Sequence, residues 1–457
     1  MRKIIAINPS NNQVICEVPE TTEQECLKIF DRARGAFHDW RRLALSKRIE
    51  LLTDLLNKLK DNSSELARLI SLEMGKPITQ SKGEVSSSLQ TIQWNLDNAE
   101  ACLAPEVTFE NEKHIHKIFF EPKGVVLSIV PFNYPFTLYV WQMIQNLLVG
   151  NVVISKPDAC TPQLFKLVEK ITAESILPNG VTQLVFGGKE IGQFLIEQNF
   201  DMICFTGSTK TGEHINNLAA TKMIPTSMEL GGSAPAIICK DADTELAVSS
   251  VFASRFANCG QLCYAVKRLI VHDSLFDSVV TKLAERARTE TIGDALDPKT
   301  TLGPLVNKEQ LDIIVSQVTD AVNKGAKIIY GGKYPKDLSG NFYEPTILTR
   351  VTRDMRVWNE EVFGPVLPVV SFKTTKQAIE LANDTLYGLG AFIFTKDKSN
   401  FHHFASEINS GVVSHNGISF SAPFNPFGGT KKSGNSRIRG KHGFRAVCNM
   451  KLVSFEK

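Results

Sequence analysis

Three residues of the sequence combine a reactive side chain with a turn that could present it to a ligand. Cys263 follows a Gly-Gln-Leu turn, Glu229 stands in an apolar stretch before two glycines, and Asn133 ends a predicted strand. A thiol can bond covalently to a substrate, a carboxyl group in apolar surroundings can act as a general base, and a side-chain amide can donate to an oxyanion. Taken alone, a cysteine is more often an inert buried thiol, Glu229 is a weak signal, and Asn133 is equally well explained as a turn residue. The combination of the three favours a catalytic site.

Two glycine-containing turns follow predicted strands and could direct helix N-terminal amides at a phosphate. They span residues 186–192 and 205–212. Neither has the GxGxxG spacing, and Glu213 stands where a P-loop requires lysine. The sequence therefore argues against a P-loop ATPase, and each turn taken alone is more often ordinary strand-to-helix punctuation.

The elements that must position these residues follow from hydrophobic patterning. Apolar residues at a period near 3.6 predict helices in the N-terminal third. From about residue 124, and again from residue 234, β-branched runs alternate with amphipathic segments, which predicts two α/β domains with parallel sheets. The predicted strands are 125–130, 152–155, 183–186, 202–205, 236–239 and 268–271, and the predicted helices are 162–175, 189–198, 209–219, 245–257, 275–287 and 308–323.

Composition favours a soluble enzyme of a reducing compartment. A chain of 457 residues can hold more than one domain, and its 51 Lys and Arg balance 48 Asp and Glu without a basic stripe, so neither nucleic acid nor a membrane surface is an expected partner. Nine cysteines without a CxxC pair, and isolated histidine pairs, predict no metal site. No apolar run approaches the roughly 20 residues of a membrane-spanning helix. We expect a cytoplasmic protein.

The chain resembles the aldehyde dehydrogenase superfamily along essentially its whole length, in the style of its short bacterial succinate-semialdehyde and aliphatic aldehyde dehydrogenases. The matching stretches are residues 131–135, 155–157, 205–208, 229–232, 260–263, 360–365, 426–429 and 432–434. The resemblance implies an α/β fold with a Rossmann-like dinucleotide-binding domain, a second α/β catalytic domain and a small β oligomerisation extension. The implied limits are 1–104 and 123–229, then 230–437, then 105–122 and 438–457. It also implies that the hairpin 105–122 pairs with a C-terminal strand of a neighbouring subunit in a homodimer or homotetramer.

The resemblance assigns roles to the three reactive residues. Cys263 would attack the aldehyde carbon to form a thiohemiacetal and then a thioester, and Asn133 with the Cys263 N–H would hold the oxyanion. Glu229 would activate water, so that the product is a free carboxylic acid. Residues implied to bind the cofactor, NAD or NADP, are Pro131, Phe132, Lys156, Ala159, Gly188, Gly192, Gly207, Ser208, Leu230, Glu361 and Phe363.

The choice between NAD and NADP depends on the residues after Lys156. Many NAD-preferring members have a glutamate at the position of Ala159 that binds the ribose 2′-hydroxyl. Its absence removes a repulsion of the 2′-phosphate and favours acceptance of NADP. Asp158 could still bind the ribose or repel the phosphate.

The predicted substrate tunnel is more apolar than anionic. Its walls are expected to include Trp141, Leu262, Tyr264, Phe420, Ser421 and Phe427. The short bacterial succinate-semialdehyde enzymes often place an arginine at the position of Trp141, and some semialdehyde enzymes place one at the position of Ala257. An aliphatic or aromatic aldehyde is therefore the first expectation. A semialdehyde, whose carboxylate Ser419 and Ser421 could bind, stays open.

Some features remain as hypotheses. Ile438 replaces the glutamate that usually follows Arg437, which bears on the anchoring of that loop and not on the chemistry. Cys259 precedes Cys263 by four residues, so in a helix the two would share a face and could form a protective disulfide. A thiol esterase without a redox step and a non-catalytic structural relative are the alternative functions, and the three reactive residues argue against the second.

Overall fold

Strands and helices alternate along most of the chain. The structure, a computed structural model, describes residues 2–418 and 421–457. The strands are β1 (Lys3–Ile7), β2 (Val14–Pro19), β3 (Glu106–Glu110), β4 (His114–Pro122), β5 (Val125–Ile129), β6 (Val152–Lys156), β7 (Thr182–Leu184), β8 (Met202–Thr206), β9 (Thr226–Glu229), β10 (Ala234–Ile238), β11 (Val266–His272), β12 (Lys327–Tyr330), β13 (Thr346–Thr349), β14 (Val366–Phe372), β15 (Tyr387–Gly388), β16 (Gly390–Phe394), β17 (Val412–His415), β18 (Thr430–Lys431) and β19 (Cys448–Glu456).

The helices are α1 (Glu23–Trp40), α2 (Leu45–Asp61), α3 (Ser63–Met74), α4 (Ile78–Leu103), α5 (Pro135–Val149), α6 (Pro162–Ala173), α7 (Lys189–Ile196), α8 (Thr209–Thr221), α9 (Thr244–Phe256), α10 (Phe276–Arg288), α11 (Lys308–Asn323), α12 (Arg356–Asn359), α13 (Thr375–Asn383), α14 (Lys398–Glu407) and α15 (Gly440–Ala446). The helices and strands with predicted bounds are present, and their ends lie within two residues of the predicted ones. The N-terminal helices are preceded by a hairpin of β1 and β2, which the sequence interpretation missed.

A five-stranded parallel sheet forms the first layer, in the order β7-β6-β5-β8-β9. Its strands are buried, and α5 is buried along its whole length. The loops after β5, β6, β8 and β9 lie at one edge, because parallel strands end together. That edge is where an open α/β sheet binds its ligand, and the sheet confirms the predicted Rossmann-like layer.

A seven-stranded sheet forms the second layer, in the order β12-β13-β14-β11-β10-β16-β17. Only the β12–β13 pair is antiparallel. Residues 230–233 connect the end of β9 directly to the start of β10, so the carboxyl edge of the first sheet is joined to the amino edge of the second. The fold confirms the predicted two α/β layers, while the domain limits remain a prediction.

The small β extension is a three-stranded antiparallel sheet in the order β19-β4-β3. The predicted pairing of the hairpin with a neighbouring subunit's C-terminal strand is wrong here. Strand β4 pairs with β19 of the same chain, in a register that runs from Cys448 opposite Pro122 to Glu456 opposite His114. The chain's own C-terminus satisfies this edge of β4 because α15 delivers β19 beside it.

No helix within residues 2–418 and 421–457 is long and apolar enough to cross a membrane. Nor do these residues include a group of three or more His, Cys, Asp or Glu that is placed to hold a metal ion. The histidine pairs lie apart, one on β4 and the other on α14.

Candidate active site

Cys263 lies in the turn before β11 and lines a cavity of about 90 Å³. The Tyr264 backbone N–H donates to the sulfur. Lys267 Nζ donates to the carbonyl oxygens of Cys263, at 2.9 Å, and Gly232, at 2.8 Å, and is ion-paired with Glu361. Burial raises the pKa of Cys263 to about 12, although the charge of Lys267 lowers it. The resting thiol is therefore protonated at neutral pH, and a reaction must remove its proton.

Asn133 lines the same cavity and is 5 % exposed. Its Nδ2 donates to the carbonyl oxygen of Gln261 at 3.0 Å, and Asn258 Nδ2 donates to the Asn133 carbonyl oxygen at 2.9 Å. A side-chain amide nitrogen carries two hydrogens, so one remains for an oxyanion on a carbon bonded to the Cys263 sulfur.

The Asn133 loop is held by residues that the sequence interpretation did not single out. Glu84 of α4 accepts from the backbone N–H groups of Phe136 and Thr137, both at 3.1 Å, and so caps the N-terminus of α5. Its other oxygen pairs with Lys76, and both side chains are fully buried. The Lys76 ammonium lies 3.4 Å from the centre of the Tyr134 ring. The only sequence signal was a lone acid on the inward face of a long helix.

Glu229 ends β9 with a buried carboxyl group. Neither of its oxygens has a hydrogen-bond partner in the described part of the chain. Burial raises the pKa of Glu229 well above its usual value, and Arg437 opposes this weakly. The Glu229 charge in turn raises the pKa of Cys263, so the two groups interact. A Cβ at Gly428 would lie 2.7 Å from Glu229 Oε1, so only glycine leaves this carboxyl group its space.

Glu361 lies beside the thiol turn. Its Oε1 accepts from the Gly232 N–H at 3.1 Å and pairs with Lys267. A Cβ at Gly231 would overlap its Oε2, which explains the Gly-Gly pair after Leu230. Glu361 is thus turned toward the buried lysine. Phe363 and Phe132 meet edge to face at 6.1 Å between ring centres, which brings the two predicted nicotinamide-side aromatics together.

Lys156 ends β6 and is 8 % exposed. A Cβ at Gly192 would lie 3.5 Å from its Cε, so the first residues of α7 pack beside the lysine chain. The Gly188 N–H donates to Glu20 Oε1 at 2.8 Å. Burial lowers the pKa of Lys156, while Asp158 and Glu20 raise it. The structure thus brings the predicted adenosine-side residues together and adds Glu20, which the sequence interpretation missed.

The orientation of Asp158 is now defined. Its Oδ1 accepts from the Cys160 backbone N–H at 2.9 Å, which closes a turn after β6. Ala159 in the same turn is half-buried and packs against the first sheet's core. The Ala159 methyl group thus occupies the position at which a ribose-binding glutamate was expected for an NAD-preferring enzyme.

The turn after β8 presents the N-terminus of α8. Ser208 caps this helix by accepting from the Thr211 N–H at 3.3 Å, and the Gly207 N–H donates to the Glu229 carbonyl oxygen at 3.1 Å. A Cβ at Gly212 would overlap the Leu230 side chain, so α8 packs closely on the β9 loop. The open amides and the lysine at this edge fit a dinucleotide that supplies a hydride acceptor when bound.

Aromatic side chains form the other wall of the cavity. The Phe427 ring lies 5.5 Å from Trp141 and 5.8 Å from Tyr264, centre to centre. Of the predicted substrate residues, those that line the cavity with Cys263 and Asn133 are Trp141, Leu262, Tyr264, Ser421 and Phe427. Phe420 and Ser419 lie outside the described residues.

Cys259 does not stand on a helical face shared with Cys263. Residues Ala257–Gly260 form a distorted 3-10 turn in which Asn258 and Cys259 have positive φ angles of 51° and 53°. Cys259 is 1 % exposed in the core of the second sheet, whereas Cys263 packs against the core of the first. The helical spacing behind the disulfide hypothesis is therefore absent.

The fold and this site define a class of α/β protein in which a thiol, an amide and a carboxyl group meet between a dinucleotide-type sheet and a second sheet. The model of the aldehyde dehydrogenase family matches residues 1–453, and the chain belongs to that family. This confirms the predicted family and fold class. It also confirms the predicted kind of enzyme, an NAD(P)-dependent aldehyde dehydrogenase.

Relatives with known names and solved structures agree with the assignment. The chain is 35% identical to a succinate-semialdehyde dehydrogenase [NADP(+)] of Mycobacterium ulcerans, over 98% of this chain and 99% of the relative. It is 35% identical to the betaine aldehyde dehydrogenase of Bacillus subtilis, over 98% and 93%. The NAD+ complex of an aldehyde dehydrogenase from Bacillus cereus superposes with a TM-score of 0.96 at 30% identity, over 100% of this chain and 93% of that one.

Proposed function

We propose that this protein oxidises an aldehyde to its free carboxylic acid through a thioester on Cys263, with NAD or NADP as the hydride acceptor. The observation that carries the proposal is the shared cavity of Cys263 and Asn133. The unpartnered carboxyl group of Glu229, which interacts electrostatically with that thiol, supports it.

The residues divide the reaction into two stages. Cys263 gives its proton to water as its sulfur bonds to the aldehyde carbon, and the free hydrogen of the Asn133 amide stabilises the resulting oxyanion. The oxyanion then re-forms the carbonyl bond as the carbon gives up its hydride, which bound NAD or NADP would accept, and the product is a thioester. Glu229 takes a proton from water, the hydroxyl adds to the thioester, and the carbon–sulfur bond breaks to release acid and thiol.

NADP is proposed as an acceptable cofactor alongside NAD. Ala159 offers no carboxylate to a 2′-phosphate, and the Asp158 carboxylate is engaged by the Cys160 N–H. The charge of Lys156 nearby would favour the phosphate. Several relatives are named as NADP(+) enzymes. Comparing kcat/KM with NAD and NADP tests this choice.

The substrate is proposed to be a small aldehyde. We propose neither nucleic acid nor a membrane as a partner of the protein. The aromatic wall of Trp141, Tyr264 and Phe427 supports an aliphatic or aromatic chain. A semialdehyde is the second candidate, favoured by a buried arginine, Arg439, whose guanidinium carbon lies 4.5 Å from the centre of the Trp141 ring.

The protein is proposed to assemble as a homodimer or homotetramer. Its proposed location is the cytoplasm. Apolar side chains of the three-stranded sheet are exposed, namely Val107, Phe109, Met450, Leu452 and Phe455. A patch of this kind is typical of an interface.

The test is the absorbance of reduced nicotinamide, recorded with each cofactor over alkyl, aryl and carboxylated aldehydes. Cys263→Ala should abolish turnover, whereas Cys16→Ala, at a half-buried cysteine of β2, should behave as wild type. Ester hydrolysis without any dinucleotide reduction would instead support the esterase alternative. Wild-type turnover by Cys263→Ala would refute the proposal.

A further inference from the structure

Lys267 is a buried cation at the amino end of β11, shortly after the thiol in the chain. Its side chain is 0 % exposed. Its Nζ donates to the carbonyl oxygens of Cys263, at 2.9 Å, and Gly232, at 2.8 Å, and pairs with the Glu361 carboxylate. An ammonium group carries three hydrogens, so these three acceptors use all of them. One buried group thus binds the thiol turn, the link between the two sheets and the Glu361 side chain.

A β-bulge places this side chain. In the pairing of β10 with β11, Val266 lies opposite Ala234. The next pair joins Arg268 and Pro235. Lys267 is therefore the extra residue of β11 and has no counterpart on β10 in this register. Bulges redirect side chains and are frequent next to active sites, and here the irregular backbone directs the ammonium group back toward the thiol turn.

Two other buried cations near the start of β11 bind only backbone. Arg255 and Arg268 are each 0 % exposed, and each donates to four backbone carbonyl oxygens. Lys267 instead pairs with a carboxylate, and the Glu361 side chain is 18 % exposed. A buried ion pair is often no more stabilising than apolar side chains of the same volume. Stability alone therefore does not account for the pair of Lys267 and Glu361.

Glu361 borders the edge at which a dinucleotide would bind. A Cβ at Gly231 would overlap Glu361 Oε2 and would lie 3.2 Å from Thr209 Oγ1. Thr209 is the first residue of α8, the helix whose N-terminal amides suit a phosphate. The Oε1 atom of Glu361 is used by Lys267 and by the Gly232 N–H. Oε2 is therefore the oxygen that remains for the hydroxyl groups of a ribose.

We propose that Lys267 is a positioning residue that joins the cofactor-binding carboxylate of Glu361 to the backbone of Cys263, and so fixes the ribose contact relative to the nucleophilic sulfur. Hydride transfer requires the reacting centres to keep one distance and orientation, and a misplacement of about 1 Å can cost about 10² in rate. Lys267 meets this requirement because a single ammonium group binds both partners directly. This inference rests on the proposed aldehyde oxidation.

The experiment replaces Lys267 by methionine, which keeps a long unbranched side chain without its charge. The dissociation constant of each dinucleotide, measured by calorimetry without aldehyde, should rise by on the order of tenfold, because Glu361 loses the charged partner that holds it. The burst of reduced nicotinamide in the first turnover should slow by on the order of 10². The KM for the aldehyde should stay close to that of wild type.

Arg268→Met is the matched control for simple destabilisation. Arg268 is the next residue of β11 and is equally buried, but its acceptors are the carbonyl oxygens of Ser233, Leu381, Ala382 and Asp384. This variant should lower the free energy of unfolding and leave the dissociation constants of the dinucleotides as in wild type. An equal loss of cofactor affinity in both variants would mean that Lys267 acts only through the stability of the fold, and would overturn the inference.

A double-mutant cycle tests whether Lys267 acts through Glu361. The Glu361→Gln variant should also bind the dinucleotides more weakly. Adding Lys267→Met to it should have little further effect, because the shared contact is already lost. If the two losses of affinity were fully additive, the proposed coupling of the two residues would be wrong.

Alkylation of Cys263 gives a readout that needs neither cofactor nor turnover. The charge of Lys267 lowers the pKa of Cys263, so at one fixed pH below that pKa iodoacetamide should modify Cys263 more slowly in Lys267→Met than in wild type. Unchanged alkylation together with unchanged dinucleotide binding would overturn the inference. Dinucleotide binding that depends on Lys267, without any aldehyde oxidation, would keep the inference and refute the proposed function, whereas wild-type oxidation rates in Lys267→Met would do the reverse.

Discussion

Glu229 is a carboxyl group whose environment decides its protonation. Because burial raises its pKa well above the usual value, Glu229 keeps its proton to a higher pH than an exposed glutamate does. Only the ionised form can take a proton from water. Thioester hydrolysis should therefore accelerate as pH rises through the pKa of Glu229 and slow as pH falls below it.

The Glu229→Gln variant should complete its first turnover at each active site but should be slow in every later turnover. The steady-state rate should fall by about 10²–10⁴ because the general base is lost, while a burst of about one reduced nicotinamide per Cys263 remains. Rapid mixing at several pH values measures both, and the pH dependence of hydrolysis should disappear in the variant.

A matched control is available at Glu213. This exposed glutamate of α8 pairs with Lys432 at the surface, so Glu213→Gln should keep the wild-type rate and pH profile. Undiminished steady-state turnover by Glu229→Gln would assign the base to another group.

The sequence could identify the reacting side chains, but not the residues that hold them in position. Cys263 and Glu229 stand beside glycines and Asn133 stands between two prolines, so their types and order were informative. Arg439 and Glu84 could not be singled out because their contacts arise only when separate segments pack: Arg439 over Trp141, and Glu84 at the start of α5. No local pattern distinguishes such a residue from an ordinary surface charge.

At the scale of elements, the cap on α5 connects stability with the active site. Glu84→Ala should destabilise the protein by roughly 3–5 kcal/mol, because it leaves the buried Lys76 without its partner. It also removes the acceptor from the Phe136 and Thr137 N–H groups. The free energy of unfolding in urea measures the loss, and kcat should fall as the Asn133 loop loosens.

Glu100→Ala provides the comparison, since Glu100 lies on the same helix α4 with an exposed side chain. Its unfolding free energy should stay within about 0.5 kcal/mol of wild type. Equal stability of the two variants would mean that the Glu84 contacts contribute little to folding.

The prediction of helices and strands succeeded where a regular hydrophobic pattern extended over many residues. It failed where the structure depends on the backbone angles of a few residues. Helix α11 begins and ends at the predicted residues because sixteen residues keep one apolar face. The β1–β2 hairpin was missed because most residues of its strands are exposed or half-buried, whereas a predicted strand such as β6 is buried and apolar along most of its length. The disulfide hypothesis required a helical stretch from Cys259 to Cys263, and spacing alone could not reveal the positive φ angles that rule it out.

At the scale of the whole molecule, the active site forms where the carboxyl ends of the first sheet's strands meet the amino ends of the second sheet's strands. Glu229 closes a strand of the first sheet, and Cys263 precedes a strand of the second, with Gly231 and Gly232 between the layers. A Cβ at Gly232 would lie 2.7 Å from the Cys263 carbonyl oxygen. Sequence could predict both layers, but not that the C-terminal strand β19 pairs with β4 of its own chain, since strand partners distant in sequence leave no periodic signal.

The self-pairing of β19 leaves an apolar surface without a partner, and this gives the last prediction. Met450 and Leu452 of β19 are 72 % and 63 % exposed. On an ordinary monomer such a patch would be a liability, so we expect it to be covered by a second copy. Replacing both with glutamate should break that contact through buried charge, and light scattering after size exclusion should show monomers in place of dimers or tetramers.

The double variant should keep its fold, because β19 retains its backbone pairing with β4 and both side chains point to solvent within one chain. Met223→Glu is the appropriate control, since Met223 is 89 % exposed at the end of α8, far in sequence from the extension. Its assembly should match that of wild type. If the wild type itself elutes as a monomer at micromolar concentration, the exposed residues of β19 serve some purpose other than self-association.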